Sequence, residues 1–452
     1  VLERLERGET TSTELTELML QRIDTYDDRV NAYVTVLADR ALASAAEADR
    51  ERRNGLRRPL LGVPIALKDL FNTAGIRTTA GSRILADNIP SGDATVVRLL
   101  REAGAVLLGK THMAEFAYGF PHPDYGPTRT PWALSHSASG SSGGSGAAVA
   151  AGLAYGALGS DTGGSIRSPA AACGITGLKP TFGLVSKHGV VPLSWTLDHV
   201  GPMTRSAEDA RRMLEVIAGV DPLDPTTVDA SDRPRWGQRQ SLSGLRIGLL
   251  TDLIDAADPD VRVAVSDAVN TLRTVGAETV EVSLPMPDAI NAIAFGTMEP
   301  EAASFHARWL NDQPESYAPR TRQGLKAAMA IPGSQYVDAQ RLRARFNQQM
   351  NHLFVDQQLD LLLAPTDSVP PWPVESPTEN ESHDDWDLRY TVVANLTGMP
   401  ALSLPCGFTG DGLPLSLQIL APPFHDDLTL RVGGLYQSVT DWHRRVPPGF
   451  ER

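Results

Sequence analysis

Two serine–glycine knots and one lysine are the residues of this chain whose types and spacing suit covalent chemistry. The knots are Gly140-Ser141-Ser142-Gly143-Gly144-Ser145 and Gly163-Gly164-Ser165, and Ala147-Ala148-Val149-Ala150-Ala151 runs between them. A flexible Gly/Ser linker is polar and carries no such apolar middle. The serines are therefore expected on the ends of a tightly packed element. Glycine lets backbone N–H groups turn toward a ligand. That is how a serine nucleophile with an oxyanion hole is built. The lysine is Lys68, which closes the run Val63-Pro64-Ile65-Ala66-Leu67. Alone, it reads as a lysine snorkelling to the surface. Beside two serine knots it reads as a desolvated base, its pKa lowered by burial.

Other patterns carry less. Gly104-Ala-Val-Leu-Leu-Gly109-Lys110-Thr111 fits a P-loop letter for letter. Its four middle residues suit a buried strand and not a phosphate-cradling turn, so a nucleotide-binding protein is the weaker reading from another class. The histidines, His112, His122 and His136 among them, show no metal-ligand spacing, and no metal is expected. A GxSxG elbow is absent around Ser165, which sits in Gly-Gly-Ser-Ile-Arg. Asp198-His199 are adjacent on one segment, where side chains rarely face each other, and read as structural.

These groups need a scaffold, and the hydrophobic pattern supplies an alternation of helix and strand. Thr10-Thr-Ser-Thr-Glu14 resembles a capping box before a helix through Leu15, Leu18, Met19 and Ile23. A second helix is predicted over 38–53 and another over 93–104. Short apolar runs at 62–71, 105–108, 245–250, 280–284 and 359–363 read as strands. The layout is α/β. Residues 220–240 read as a surface linker. Residues 366–387, rich in proline and acid, read as a long loop that forms a lid or rim. Ser168-Pro169 reads as the N-cap and first residue of a helix starting just past Ser165.

With 452 residues, 42% hydrophobic and 21% charged, the chain is an ordinary globular protein with a large core. A net charge of −13 without a dense basic cluster argues against nucleic acid. No apolar run is long enough for a membrane span. Two distant cysteines, Cys173 and Cys406, form no disulfide framework, so a reducing cytoplasm is the expected compartment.

The motifs Gly62-Val-Pro-Ile-Ala-Leu-Lys68-Asp69, Gly109-Lys-Thr-His-Met-Ala-Glu-Phe116, Gly126-Pro-Thr-Arg-Thr-Pro-Trp132, the stretch 140–180 and Asn395-Leu-Thr-Gly-Met-Pro-Ala-Leu402 resemble the amidase signature family of serine hydrolases. The likeness covers nearly the whole chain. It implies one amidase domain over 1–452: a large mixed twisted sheet with helices on both faces. Residues 1–58 would be a helical segment packed on it, 62–210 the signature core and 245–452 the remainder. It also implies a Ser-cisSer-Lys triad. By motif position Ser165 is the nucleophile, Ser141 the bridging serine after a cis peptide bond, and Lys68 the base. The backbone N–H groups of Thr162, Gly163, Gly164 and Ser165 would form the oxyanion hole.

The resemblance implies hydrolysis of the C–N bond of a small amide, or of a carbamate as in a urethanase, through an acyl-enzyme and without a cofactor. Tyr118 and Trp195 lie near the motif segments and read equally as pocket lining or as core aromatics. The partners to consider are the small substrate and a second copy of the chain; nucleic acid and membrane are not. The alternative within the family is the amidase subunit of a tRNA-dependent amidotransferase, which works with partner subunits and passes ammonia to a second site. The Thr440-Asp-Trp-His443 ending and the acidic charge favour a free-standing amidase. Two departures bear on the pocket: Ser139-Gly140 stands where the family often has Gly-Gly, and His112 where it often has Asn.

Overall fold

Strand alternation builds the centre of the molecule. The computed structural model describes residues 1–231, 241–374 and 387–451. Its strands are β1 (Tyr33–Val36), β2 (Pro64–Lys68), β3 (Val106–Thr111), β4 (Gly156–Asp161), β5 (Thr176–Lys179), β6 (His199–Thr204), β7 (Arg246–Leu250), β8 (Glu278–Val282), β9 (Leu361–Pro365), β10 (Ala401–Phe408) and β11 (Pro414–Leu420). They form one mixed sheet in the order β1-β3-β2-β4-β6-β5-β10-β11-β9-β7-β8. The strands β3, β2 and β4 run parallel, and β6 closes against β4 antiparallel.

Successive side chains of a strand point to opposite faces. Ile65 and Leu67 of β2 therefore enter one apolar cluster and Ala66 enters another. Leu107 and Leu158 join the first, while Val106, Leu108 and Ala157 join the second. The sheet is thus packed on both sides, and its central strands read as continuous apolar runs for that reason.

The N-terminal helix Ser12–Val30 is capped as expected: Thr11 accepts from the Glu14 N–H and Glu14 reaches back to the Thr11 N–H. The helix Ala38–Arg53 matches its predicted span. The segment 220–240, read as a surface linker, is described to residue 231, and two aspartates tie that part to the domain. Asp221 and Asp224 are buried; Asp221 accepts from Thr95 and Ser186 hydroxyls, both at 2.6 Å, and Asp224 from the Lys187 N–H at 2.7 Å. Residues 232–240 lie outside the described residues, as do 375–386 of the long loop. Among the described residues, no helix is long and apolar enough to cross a membrane, and Cys173 and Cys406 are buried free thiols.

Candidate active site

Lys68 ends β2, fully buried. Its Nζ donates to Ser141 Oγ at 2.6 Å and to Ser160 Oγ, on the neighbouring β4, at 2.9 Å. Among the described residues no carboxylate stands within ion-pair distance of it. Burial therefore dominates and pulls its pKa to about 7, against the weaker opposing pull of Asp161 and Asp198.

The first knot precedes a helix, Gly143–Ala150, every residue of which is buried. The peptide bond between Gly140 and Ser141 is cis. Each serine of the knot does something different. Ser142 Oγ donates to Ser160 O at 3.2 Å and accepts the Ser160 N–H at 3.3 Å. Ser145 Oγ donates to Leu158 O at 3.0 Å and lies 2.7 Å from Thr111 Oγ1. Two serines thus stitch the knot to the sheet, and Ser141 alone meets the lysine.

The second knot is the turn after β4, and Asp161 organises it. Its carboxylate accepts the N–H groups of Gly164 (2.9 Å) and Ile166 (3.1 Å), Arg167 Nε (3.0 Å) and Nη2 (2.9 Å), and Asn395 Nδ2 (2.9 Å). Burial alone would raise its pKa; the Arg167 guanidinium overrides this and, with Lys179 and Asn395, holds it well below the usual carboxylate range. Gly164 turns at φ +136, and a Cβ there would come within 2.6 Å of Thr391 Oγ1, so only glycine fits. Thr391 Oγ1 in turn donates to Gly163 O at 2.5 Å. The Ser142 N–H donates to Ser165 O at 3.2 Å, which joins the two knots through backbone. Among the described residues no hydrogen bond joins Ser141 Oγ to Ser165 Oγ.

Ser141, Ser165 and the 162–164 backbone border a cavity of about 450 Å³, whose other walls include Met113, Phe120, Phe295, Met298, Leu388 and Trp372. No lysine or arginine lines it among the described residues. The 366–374 part of the long loop supplies one rim, as the sequence led us to expect.

Several expected residues sit differently. Gly164 cannot serve as an oxyanion donor in this arrangement, because its N–H is held by Asp161; those of Gly163 and Ser165 have no hydrogen-bond partner among the described residues. Tyr118 borders the cavity and donates its hydroxyl to the buried Glu299. Trp195 is 54% exposed and outside the lining, under the Lys187 ammonium, while Leu193 of the same segment borders the cavity. The helix after Ser165 is Arg167–Ala172, so Ser168 lies inside its first turn and not at the cap. Asp198 and His199 indeed do separate jobs: Asp198 accepts from Thr162 Oγ1 at 2.6 Å, and His199 Nδ1 meets Leu197 O at 2.6 Å. The P-loop pattern falls on buried β3. Among the described residues no group of three His, Cys, Asp or Glu could hold a metal ion. Sequence reading missed Ser160, Asp161 and Thr391. Asp161 lies within the 140–180 stretch, but its role needs Arg167 and Asn395 in view.

Known proteins match this chain along nearly its whole length. The Amidase family model matches residues 14–430. A glutamyl-tRNA(Gln) amidotransferase subunit of Geobacter metallireducens is 38% identical over 468 residues, which is 98% of this chain and 96% of that protein. The native peptide amidase of Stenotrophomonas maltophilia superposes with a TM-score of 0.84 at 35% identity, over 100% of this chain and 98% of that one. A structure described as a vestigial protein complex that reveals the origins of an s-triazine catabolic enzyme superposes with a TM-score of 0.88 at 35% identity, over 96% of this chain and 97% of that one. The chain belongs to the amidase signature family, enzymes that act on C–N bonds.

Proposed function

We propose that the chain hydrolyses the C–N bond of a small amide, or of a carbamate, through an acyl-enzyme on Ser165. The observation that carries this reading is the 2.6 Å contact between the desolvated Lys68 nitrogen and Ser141 Oγ, at the cavity that Ser165 borders. Neutral Lys68 takes the Ser141 proton, Ser141 takes the Ser165 proton, and Ser165 Oγ attacks the carbonyl carbon. The developing oxyanion is met by the N–H groups of Thr162, Gly163 and Ser165. On collapse the C–N bond breaks, and the proton on Lys68 returns through Ser141 to the leaving nitrogen. Water then attacks the ester by the same relay and releases the acid.

The curated relatives, by their names, weigh toward the second reading, that the chain is the amide-cleaving subunit of an amidotransferase. The cavity weighs toward a free-standing amidase of a non-acidic substrate, because a substrate carboxylate would meet no cation among its described lining residues. The purified chain alone separates the two. We expect it to turn over apolar anilides or carbamates and to leave glutamine intact. Inertness toward all of them until a partner protein is added would establish the subunit reading. A fluorophosphonate should add once, at Ser165, and not to Ser165→Ala; an adduct on any other residue overturns the relay itself.

A further inference from the structure

One carboxylate in the cavity has no ion-pair partner among the described residues. Asp367 stands just past β9 and borders the same space as Ser165. Its carboxylate accepts a single hydrogen bond among the described residues, from Ser168 Oγ at 2.8 Å. The other lining carboxylate, Asp387, is answered by Arg389, whose Nε and Nη2 both lie at 2.8 Å. The nearby Arg167 guanidinium is spent on Asp161, Asn395, Gln418 and the Thr391 carbonyl. No other cation borders the space among the described residues. A carboxylate in a largely apolar cavity with one neutral donor is poorly solvated, and burial pushes the Asp367 pKa up to about 6. At neutral pH the partner it calls for is a cation, and the carboxylate borders the place where substrate must sit.

We infer that Asp367 anchors a protonated amine on the substrate, so that the amide cleaved here carries an ammonium group close to its acyl carbonyl. Ser168 holds the carboxylate in place, and the apolar walls take the rest of the molecule. The inference rests on the reading of this cavity as the site of amide hydrolysis. It names the substrate class: amino-substituted acyl amides, in preference to neutral or acidic ones.

The test uses butyryl 4-nitroanilide and its 2-, 3- and 4-amino derivatives. The wild-type enzyme should favour at least one amino derivative in kcat/KM by about 10- to 100-fold, the range a charge-assisted hydrogen bond supplies. Asp367→Asn keeps the size and the acceptor for Ser168, and should erase that preference while hydrolysis of the neutral anilide persists. Equal rates for neutral and amino substrates, or an Asp367→Asn loss equal for both, would overturn the inference and leave the amidase reading intact. No hydrolysis of any anilide, with no fluorophosphonate adduct at Ser165, would instead defeat the amidase reading. Should Asp367→Asn not fold, inhibition of the wild type decides: butylammonium should compete more strongly than butanol or butyrate, and equal potency of the three overturns the inference.

Discussion

Lys68 and Lys110 sit on neighbouring parallel strands, both with no exposed surface, and they are kept in opposite ways. Lys110 Nζ lies 3.2 Å from Asp69 Oδ1 and donates to Phe71 O and Thr78 Oγ1, both at 2.8 Å. Burial lowers its pKa and Asp69 pulls it back. Among the described residues Lys68 meets only hydroxyls. The register explains the split. Leu67 pairs with Lys110 and Lys68 with Thr111, so the two ammonium groups leave the sheet on opposite faces. Asp69, one residue past Lys68, falls on the Lys110 side. The same strand pair thus makes a structural cation on one face and a titratable amine on the other. Burial is common to both lysines; the carboxylate beside Lys110 is what separates it from the proposed base.

The largest expected effect breaks the Lys68 side. We predict that kcat/KM rises with pH along a single-proton limb and levels off above about 7, since only the neutral amine accepts a proton. Lys68→Ala should remove the limb and lower kcat/KM by about 10²–10⁴-fold, the usual worth of a general base. Lys68→Arg should not restore it, because guanidinium stays protonated. An active Lys68→Arg enzyme with an unchanged profile would place the base elsewhere.

Breaking the other side should cost stability and not chemistry. Lys110→Met leaves Asp69 buried without its cation, and removing one partner of such a pair costs about 3–5 kcal/mol. Denaturant unfolding measures this, and the pH limb of whatever enzyme remains folded should keep its midpoint. A shifted midpoint would show that the two faces are electrically coupled and would spoil the contrast.

The smallest effect sharpens the comparison. Ser160→Ala removes one acceptor from the Lys68 ammonium, so the charged form loses support and the limb should move to lower pH by less than about one unit. Movement to higher pH would mean that Ser160 supports the neutral amine instead.

Much of this was legible in the residues. The capping box at Thr11 and Glu14, the helix over 38–53 and the buried run ending in Lys68 follow from local periodicity, which depends on the backbone repeat and little else. Strand alternation alone puts Asp69 on the face opposite Lys68, and its pairing with Lys110 agrees with that. Less legible was anything that needed a partner distant in sequence. Trp195 sits close to the motif segments in sequence yet lies on the surface, because the turn at Ser194 and Asp198 sends Leu193, not Trp195, toward the cavity. The Gly164 N–H has the look of a free donor in the sequence, and only the fold of Asp161 back onto its own loop takes it up.

By itself, the sequence determined the N-terminal helices, the strands β2, β3, β7, β8 and β9, and which residue types these offer: a lysine at the end of an apolar strand and serines among glycines; β1 falls in a stretch read as helical. Side-chain spacing along one chain segment is set by the local repeat, so those features could be read directly. Only the tertiary structure decided the neighbours. The strand order β3-β2-β4 brings Ser160 to Lys68 across 92 residues and, among the described residues, leaves the nitrogen without a carboxylate at ion-pair distance, and Arg167 reaches Asn395 across 228. Those contacts depend on chain closure over long separations, and no local pattern encodes which face will meet which.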